Sequence, residues 1–166
     1  MHVATADDVR VGLGFDVHRL VAGRPLRLGG VDVPFEAGLV GHSDGDVLLH
    51  AITDAVLGAA GLGDIGTLFP DTDPRLKGAD SREFLREAVR LARRSGFSVT
   101  YVDAVVVAER PRLAPYAAAM AAAIRDATGP PEPGVSVKFK TAEGLGVVGA
   151  GQAMAAWAAV VARRLS

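Results

Sequence analysis

The chain has 166 residues, 49% of them hydrophobic and 22% charged, with a formal net charge of −1. That is the balance of one soluble domain able to bury a core, and it argues against a nucleic-acid-binding surface. Cysteine is absent, which excludes disulfides, thiolate zinc knuckles and cysteine nucleophiles.

The opening "MHVATADDVR" is too polar and acidic for a signal or transit peptide, and no apolar run is long enough to span a bilayer, so a cytoplasmic chain is expected. Residues 1–9 are expected to be a flexible N-terminus of a single domain covering 1–166. "VRVGLGFDVH" then predicts a strand arriving at His18, and "RPLRLGGVDVPF" a short hairpin turning at Gly29-Gly30. Residues 43–60 carry apolar side chains at 48, 49, 52, 55, 56 and 59, a helical stripe capped by Ser43 or Asp44 and closed near Gly61. A Gly-, Asp- and Pro-rich loop of about twenty residues follows, a length that is usually functional inside a compact domain. A helix over 81–95, a strand over 97–109, a helix within 110–129, a strand from Gly134 and a last helix over 149–164 complete the reading. Alternating strands and helices predict an α/β class, with a mixed sheet covered by helices.

Two histidine and aspartate pairs stand out. Asp16 and His18 are two apart on a predicted strand, so both side chains share a face, either as a polar strand end or as ligands. Asp46 and His50 are four apart on a predicted helix, either as a surface ion pair or as a metal ligand oriented by a carboxylate behind it. If the strand and helix meet, Asp16, His18 and His50 make three oxygen and nitrogen ligands with a fourth position open, the pattern of catalytic zinc. His42 and Ser43 precede a helix, where N–H groups and the positive dipole end favour phosphate; simple capping by Ser43 is the plainer reading and is compatible with it. "GLGDIG" fits G-x-G-x-x-G but follows a helix, "GLGFDV" lacks the third glycine, and no P-loop occurs. Glu143, after Lys140 and Thr141 at a strand end, is either a hard-metal ligand or surface decoration.

Taken together, "GLGFDVHRL", "GHSDGDVLLHAITDAVLGAAGLGDIGTLFPDTDP", "KGADSRE" and "GLGVVGAGQ" resemble the 2-C-methyl-D-erythritol 2,4-cyclodiphosphate synthase family over nearly the whole chain. The resemblance implies a homotrimer whose sheets line a central core, with active sites between subunits. It implies a cytidine diphosphate ester of methylerythritol 2-phosphate as substrate, cyclised with loss of CMP for non-mevalonate isoprenoid synthesis. It assigns zinc to Asp16, His18 and His50, and magnesium or manganese to Glu143. Asp16, His18 and Glu143 would also touch the substrate, His42 and Ser43 its phosphates, and Asp64, Ile65 and Gly66 the methylerythritol part. Phe69, Pro70, Asp71 and Asp73 would lie in the loop above, and Ala108, Pro111, Arg112 and Leu113 in the cytidine pocket of the neighbouring subunit. His42 and Thr141 would act on the reacting phosphates.

Four departures from that family stand out, two of them runs of residues. Phe139-Lys140-Thr141-Ala142-Glu143 replaces Ala-Thr-Thr-Thr-Glu, Arg112 replaces a lysine, and Val147 replaces a phenylalanine. Gly149-Ala150-Gly151-Gln152-Ala153 stands where Gly-Arg-Gly-Glu-Gly is usual, which bears on any anionic isoprenoid in the trimer cavity. A zinc hydrolase using water, or a metal-bearing trimer without activity, are the competing readings, separated by product identity and by ligand binding.

Overall fold

The computed structural model describes residues 9–129 and 132–165. The expected flexible N-terminus, residues 1–9, lies outside the described residues up to position 8, while Val9 already opens a strand. Strand β1 runs Val9–Ala22, past the expected end at His18. β2 (Leu26–Leu28) and β3 (Val31–Val33) form the hairpin read at Gly29-Gly30, where both glycines have positive φ. After β4 (Ala37–Leu39) comes helix α1 (Val47–Ala60). The long loop is partly helical, with α2 (Ile65–Leu68) and a 3-10 turn at Pro74–Leu76. Helix α3 (Ser81–Arg94), strand β5 (Phe97–Val107), helix α4 (Ala117–Thr128) and strand β6 (Gly134–Lys140) follow, then the short α5 (Gly146–Gly149) and strand β7 (Ala153–Arg164).

The main sheet has the order β4-β1-β7-β5-β6, with β5 and β6 parallel and the other pairs antiparallel. A mixed sheet covered by helices is therefore what forms, as its alternating elements predict. The last element is the correction. Residues 149–164 do not make a helix; most of them are β7, the central strand of the sheet. Its alanines carry a strong helical propensity, but the chain here has two partner strands and a helix lying on it, and tertiary context overrides propensity. Met154, Ala156, Ala158, Val160 and Ala162 alternate into the core, while Trp157 points to the other face.

β1 works by the same alternation with an unusual content. Its even positions, Gly12, Gly14, Asp16 and His18, face α1. A Cβ at Gly12 would lie 1.8 Å from the Ala55 carbonyl oxygen, and one at Gly14 1.9 Å from that of Ala51. Only glycine lets strand and helix backbones approach so closely. The odd positions carry the apolar side chains outward, with Val11 64% and Leu13 78% exposed and Phe15 beside Trp157. α1 is buried nearly all round, between β1, β7 and β5 on one side and α3 on the other.

Candidate metal centre

Because Gly12 and Gly14 press β1 onto α1, the next two residues on that face, Asp16 and His18, reach the helix at His50. Asp16 Oδ2 is 2.8 Å from His18 Nε2 and 3.0 Å from His50 Nδ1, and the two imidazole nitrogens are 3.4 Å apart. These are the three residues that spacing offered as candidate ligands, brought together by the close packing of strand and helix. A tetrahedral ion with bonds of about 2.0–2.1 Å holds its ligand atoms roughly 3.3 Å apart, so this triangle fits one. Two imidazole nitrogens aimed at a single carboxylate oxygen also suit a shared cation between them. Burial pushes the Asp16 carboxyl up, but hydrogen bonding to His18 and His50 outweighs it and holds the group well below the usual carboxylate range.

The triangle lies in the wall of a cavity of about 850 Å³. His42, Ser43, Ile65, Gly66, Phe69, Pro70 and Asp71 line the same cavity, with Phe69 stacked on Phe84 at 4.6 Å. His42 Nε2 donates to the Asp73 carbonyl at 3.0 Å, which leaves the lone pair of a neutral ring on Nδ1. Asp64 is exposed and caps α2 through Thr67 N–H at 2.8 Å. Asp73 turns its carboxylate away to Arg75.

The remaining expected site residues gather elsewhere, at the ends of the parallel strands β5 and β6. Ala108 N–H donates to the Lys140 carbonyl, and Ala142 N–H to Glu109. Thr141 donates its hydroxyl to Glu143 at 3.0 Å, and Glu143 has a φ of 52°, the left-handed region. Ala108 and Leu113 are buried, and none of Ala108, Pro111, Arg112, Leu113, Thr141 or Glu143 lines the cavity of the same chain.

Two expectations about α1 need correction. The helix is capped by Asp46, not by Ser43 or Asp44, because Gly45 at φ 79° delays the helical backbone. The Asp46 carboxylate accepts from Leu49 N–H at 3.0 Å, so a carboxylate of the chain itself serves the helix N-terminus expected to take phosphate. Nor does Asp46 orient His50. It is fully buried and bonded to the hairpin instead, at Gly29 N–H (2.9 Å) and Gly30 N–H (2.7 Å).

Of the groups behind His50, the sequence reading named Ser43, for phosphate or as a cap, and missed Ser81 and Asp44. His50 Nε2 is 2.9 Å from Ser81 Oγ and 3.0 Å from Ser43 Oγ, and Ser81 hydrogen-bonds Asp44. Ser81 and Asp44 read in sequence only as helix starts; their joint role needs a contact across 37 residues.

Fold and site together define a mixed α/β protein with a His/Asp group able to hold a metal ion in the wall of a cavity. The profile of the YgbB family matches residues 9–163, and the chain belongs to that family. It is 59% identical over 155 residues to the bifunctional enzyme IspD/IspF of Albidiferax ferrireducens, covering 93% of this chain but only 37% of that protein. It is 55% identical over 157 residues to the 2-C-methyl-D-erythritol 2,4-cyclodiphosphate synthase of Burkholderia thailandensis, covering 95% and 97% of the two chains. Among solved structures, the Plasmodium falciparum IspF CDP complex superposes with a TM-score of 0.83 at 33% identity, covering 98% of this chain and 100% of that one.

Proposed function

We propose that this chain is a cyclising, CMP-releasing phosphorus–oxygen lyase. It would convert 4-diphosphocytidyl-2-C-methyl-D-erythritol 2-phosphate to 2-C-methyl-D-erythritol 2,4-cyclodiphosphate, in non-mevalonate isoprenoid synthesis. The observation that carries the reading is the Asp16–His18–His50 triangle in the wall of the cavity also lined by His42, Ser43, Ile65, Gly66 and Phe69. The close similarity to named synthases over nearly the whole chain supports the same substrate.

The substrate brings its own nucleophile. An oxygen of the 2-phosphate attacks the β-phosphorus, and the bond from that phosphorus to the CMP oxygen breaks. The attacking phosphate is already anionic near neutral pH, so the chain needs no strong base; its work is to hold several negative charges in ring geometry. Orientation of this kind is worth on the order of 7 kcal/mol or more in well-aligned cases. Asp16, His18 and His50 would hold zinc, which supplies positive charge to the phosphoryl oxygens when bound. His42, fixed by the Asp73 carbonyl, and the main chain at Ser43, whose hydroxyl is turned to His50, orient phosphate, while Phe69 and Pro70 exclude water. Magnesium or manganese would have Glu143 as its protein ligand and take others from the diphosphate.

We infer that the active unit is a homotrimer. The open sheet face with Val11, Leu13, Phe15, Tyr101 and Trp157 supports a large apolar contact. Separation of the metal cavity from the Ala108, Pro111, Arg112, Leu113, Thr141 and Glu143 group supports a site completed by a neighbouring subunit. We also assign the chain to the cytoplasm; none of its described helices is long and apolar enough to cross a membrane.

Phosphorus NMR with the cytidyl substrate, zinc and magnesium tests the reading. CMP with a cyclic diphosphate, abolished by His50→Ala, is expected. CMP with an open-chain product would mean a hydrolase, and no turnover by a zinc-loaded trimer would mean a binding or structural protein. Mixing His50→Ala with Glu143→Gln subunits should recover turnover that neither has alone, if sites are shared.

A further inference from the structure

The hydrogen bonds behind His50 decide which of its nitrogens is free for a metal. Ser81 is wholly buried, and its single hydroxyl proton has three neighbours: the Asp44 carboxylate, His50 Nε2 at 2.9 Å and Ser43 Oγ at 3.2 Å. A carboxylate can only accept. The Asp44 carboxylate is held in place by the Ser81 backbone N–H at 3.1 Å and has the Arg27 guanidinium 3.7 Å away. The Ser81 proton therefore goes to Asp44, and Ser81 Oγ accepts from its other neighbours. An unprotonated His50 Nε2 would then set its lone pair against the Ser81 oxygen at 2.9 Å, whatever Ser43 does, so the favoured arrangement has the proton on Nε2, shared between Ser81 and Ser43, with the Ser43 proton turned to Ser81.

With Nε2 held by its proton, Nδ1, which hydrogen-bonds Asp16 and faces His18, is the nitrogen whose lone pair a metal would take. His18 has no such support: its Nδ1 is buried without a hydrogen-bond partner among the described residues. We propose that Ser81 and Asp44 are positioning residues that fix the His50 tautomer for metal binding, through a carboxylate–hydroxyl–imidazole relay anchored at Arg27. Arg27 lies on β2 and Ser81 opens α3, so the relay also ties the readiness of the centre to the packing of hairpin against helix.

The inference rests on the metal reading above, and zinc affinity by chelator competition separates the two. If the metal reading is wrong, the parent protein takes up no zinc; if only the relay is wrong, the parent binds and the variants bind equally. Ser81→Ala is expected to weaken zinc about 10- to 100-fold, the usual cost of losing a partner behind a ligand. Asp44→Asn should do the same without emptying any volume, because its amide can donate to Ser81 and turn the hydroxyl proton onto His50 Nε2. In the zinc-loaded parent, long-range 1H–15N spectra should show the His50 ring proton on Nε2, exchanging slowly; in Ser81→Ala its exchange should quicken. Variants that hold zinc within twofold of the parent, or a His50 proton found on Nδ1, would overturn the proposal.

Discussion

The Asp46 carboxylate accepts the Gly30 N–H at 2.7 Å and so ties the β2–β3 hairpin to the first turn of α1. It also takes the N–H groups of Gly29 and Leu49, and the carboxylate itself is fully buried. Asp46→Ala would leave three donors without their acceptor. At about 1–3 kcal/mol for each unsatisfied group, a loss of roughly 3–9 kcal/mol is expected in urea unfolding. Asp46→Asn, which keeps one accepting oxygen, should fall between that variant and the parent.

Gly14→Ala tests how far the centre depends on backbone contact. The added Cβ would meet the Ala51 carbonyl oxygen, which cannot move without shifting α1. The variant should lose about 3 kcal/mol or more, in the range of overpacked and strained sites. If it folds, it should bind zinc more weakly than the parent, since Asp16 and His18 would be displaced from His50. Unfolding curves and zinc titration read the two effects separately.

Adding zinc should raise the melting temperature, because the ligand triangle exists only in the folded chain. At a free concentration near 100 times the dissociation constant, the stabilisation is about 2.7 kcal/mol, or roughly 5–10 °C for a chain of this length. Chelation should reverse it. His50→Ala should show no such shift, and a shift persisting in that variant would move the metal elsewhere.

In the loop over the cavity, hydrogen bonds from Arg75 lower the Asp73 carboxyl from its ordinary 3.8 to about 2. A lowered carboxyl contributes its stabilisation fully above the ordinary value and loses it as pH falls through the folded one. The Asp73–Arg75 pair should therefore persist at pH 4 and dissolve as pH falls through about 2. Carbon-13 titration of the Asp73 carboxyl reads this directly, and Arg75→Ala should return it towards the ordinary value.

The outward face of β1 predicts association. Leu13→Asp should leave the fold intact, because that side chain is 78% exposed, and should drive the protein towards the 17.1 kDa single chain in sedimentation. A Leu13→Asp protein that keeps the parent's mass would remove this face from the interface.

Periodicity alone made much of the centre legible. A step of two puts Asp16 and His18 on one face of a strand in any sheet, and Gly29-Gly30 makes a turn whatever surrounds it. The apolar stripe over 43–60 is helical because its spacing is, and His50 belongs to that helix. These are local facts, set within a few residues by backbone geometry. Tertiary structure decided the rest, through contacts the chain closes at long range. Asp16 meets His50 across 34 residues, and His50 meets Ser81 across 31. Asp46 was free by spacing to serve His50, and only the arrival of the hairpin drew it to Gly29 and Gly30. The alanine-rich segment ending the chain is a good helix by propensity. It becomes β7 because β1 and β5 offer it backbone partners on both sides, and because small side chains let α1 lie close against it. Spacing determines which residues share a face; packing determines what that face meets.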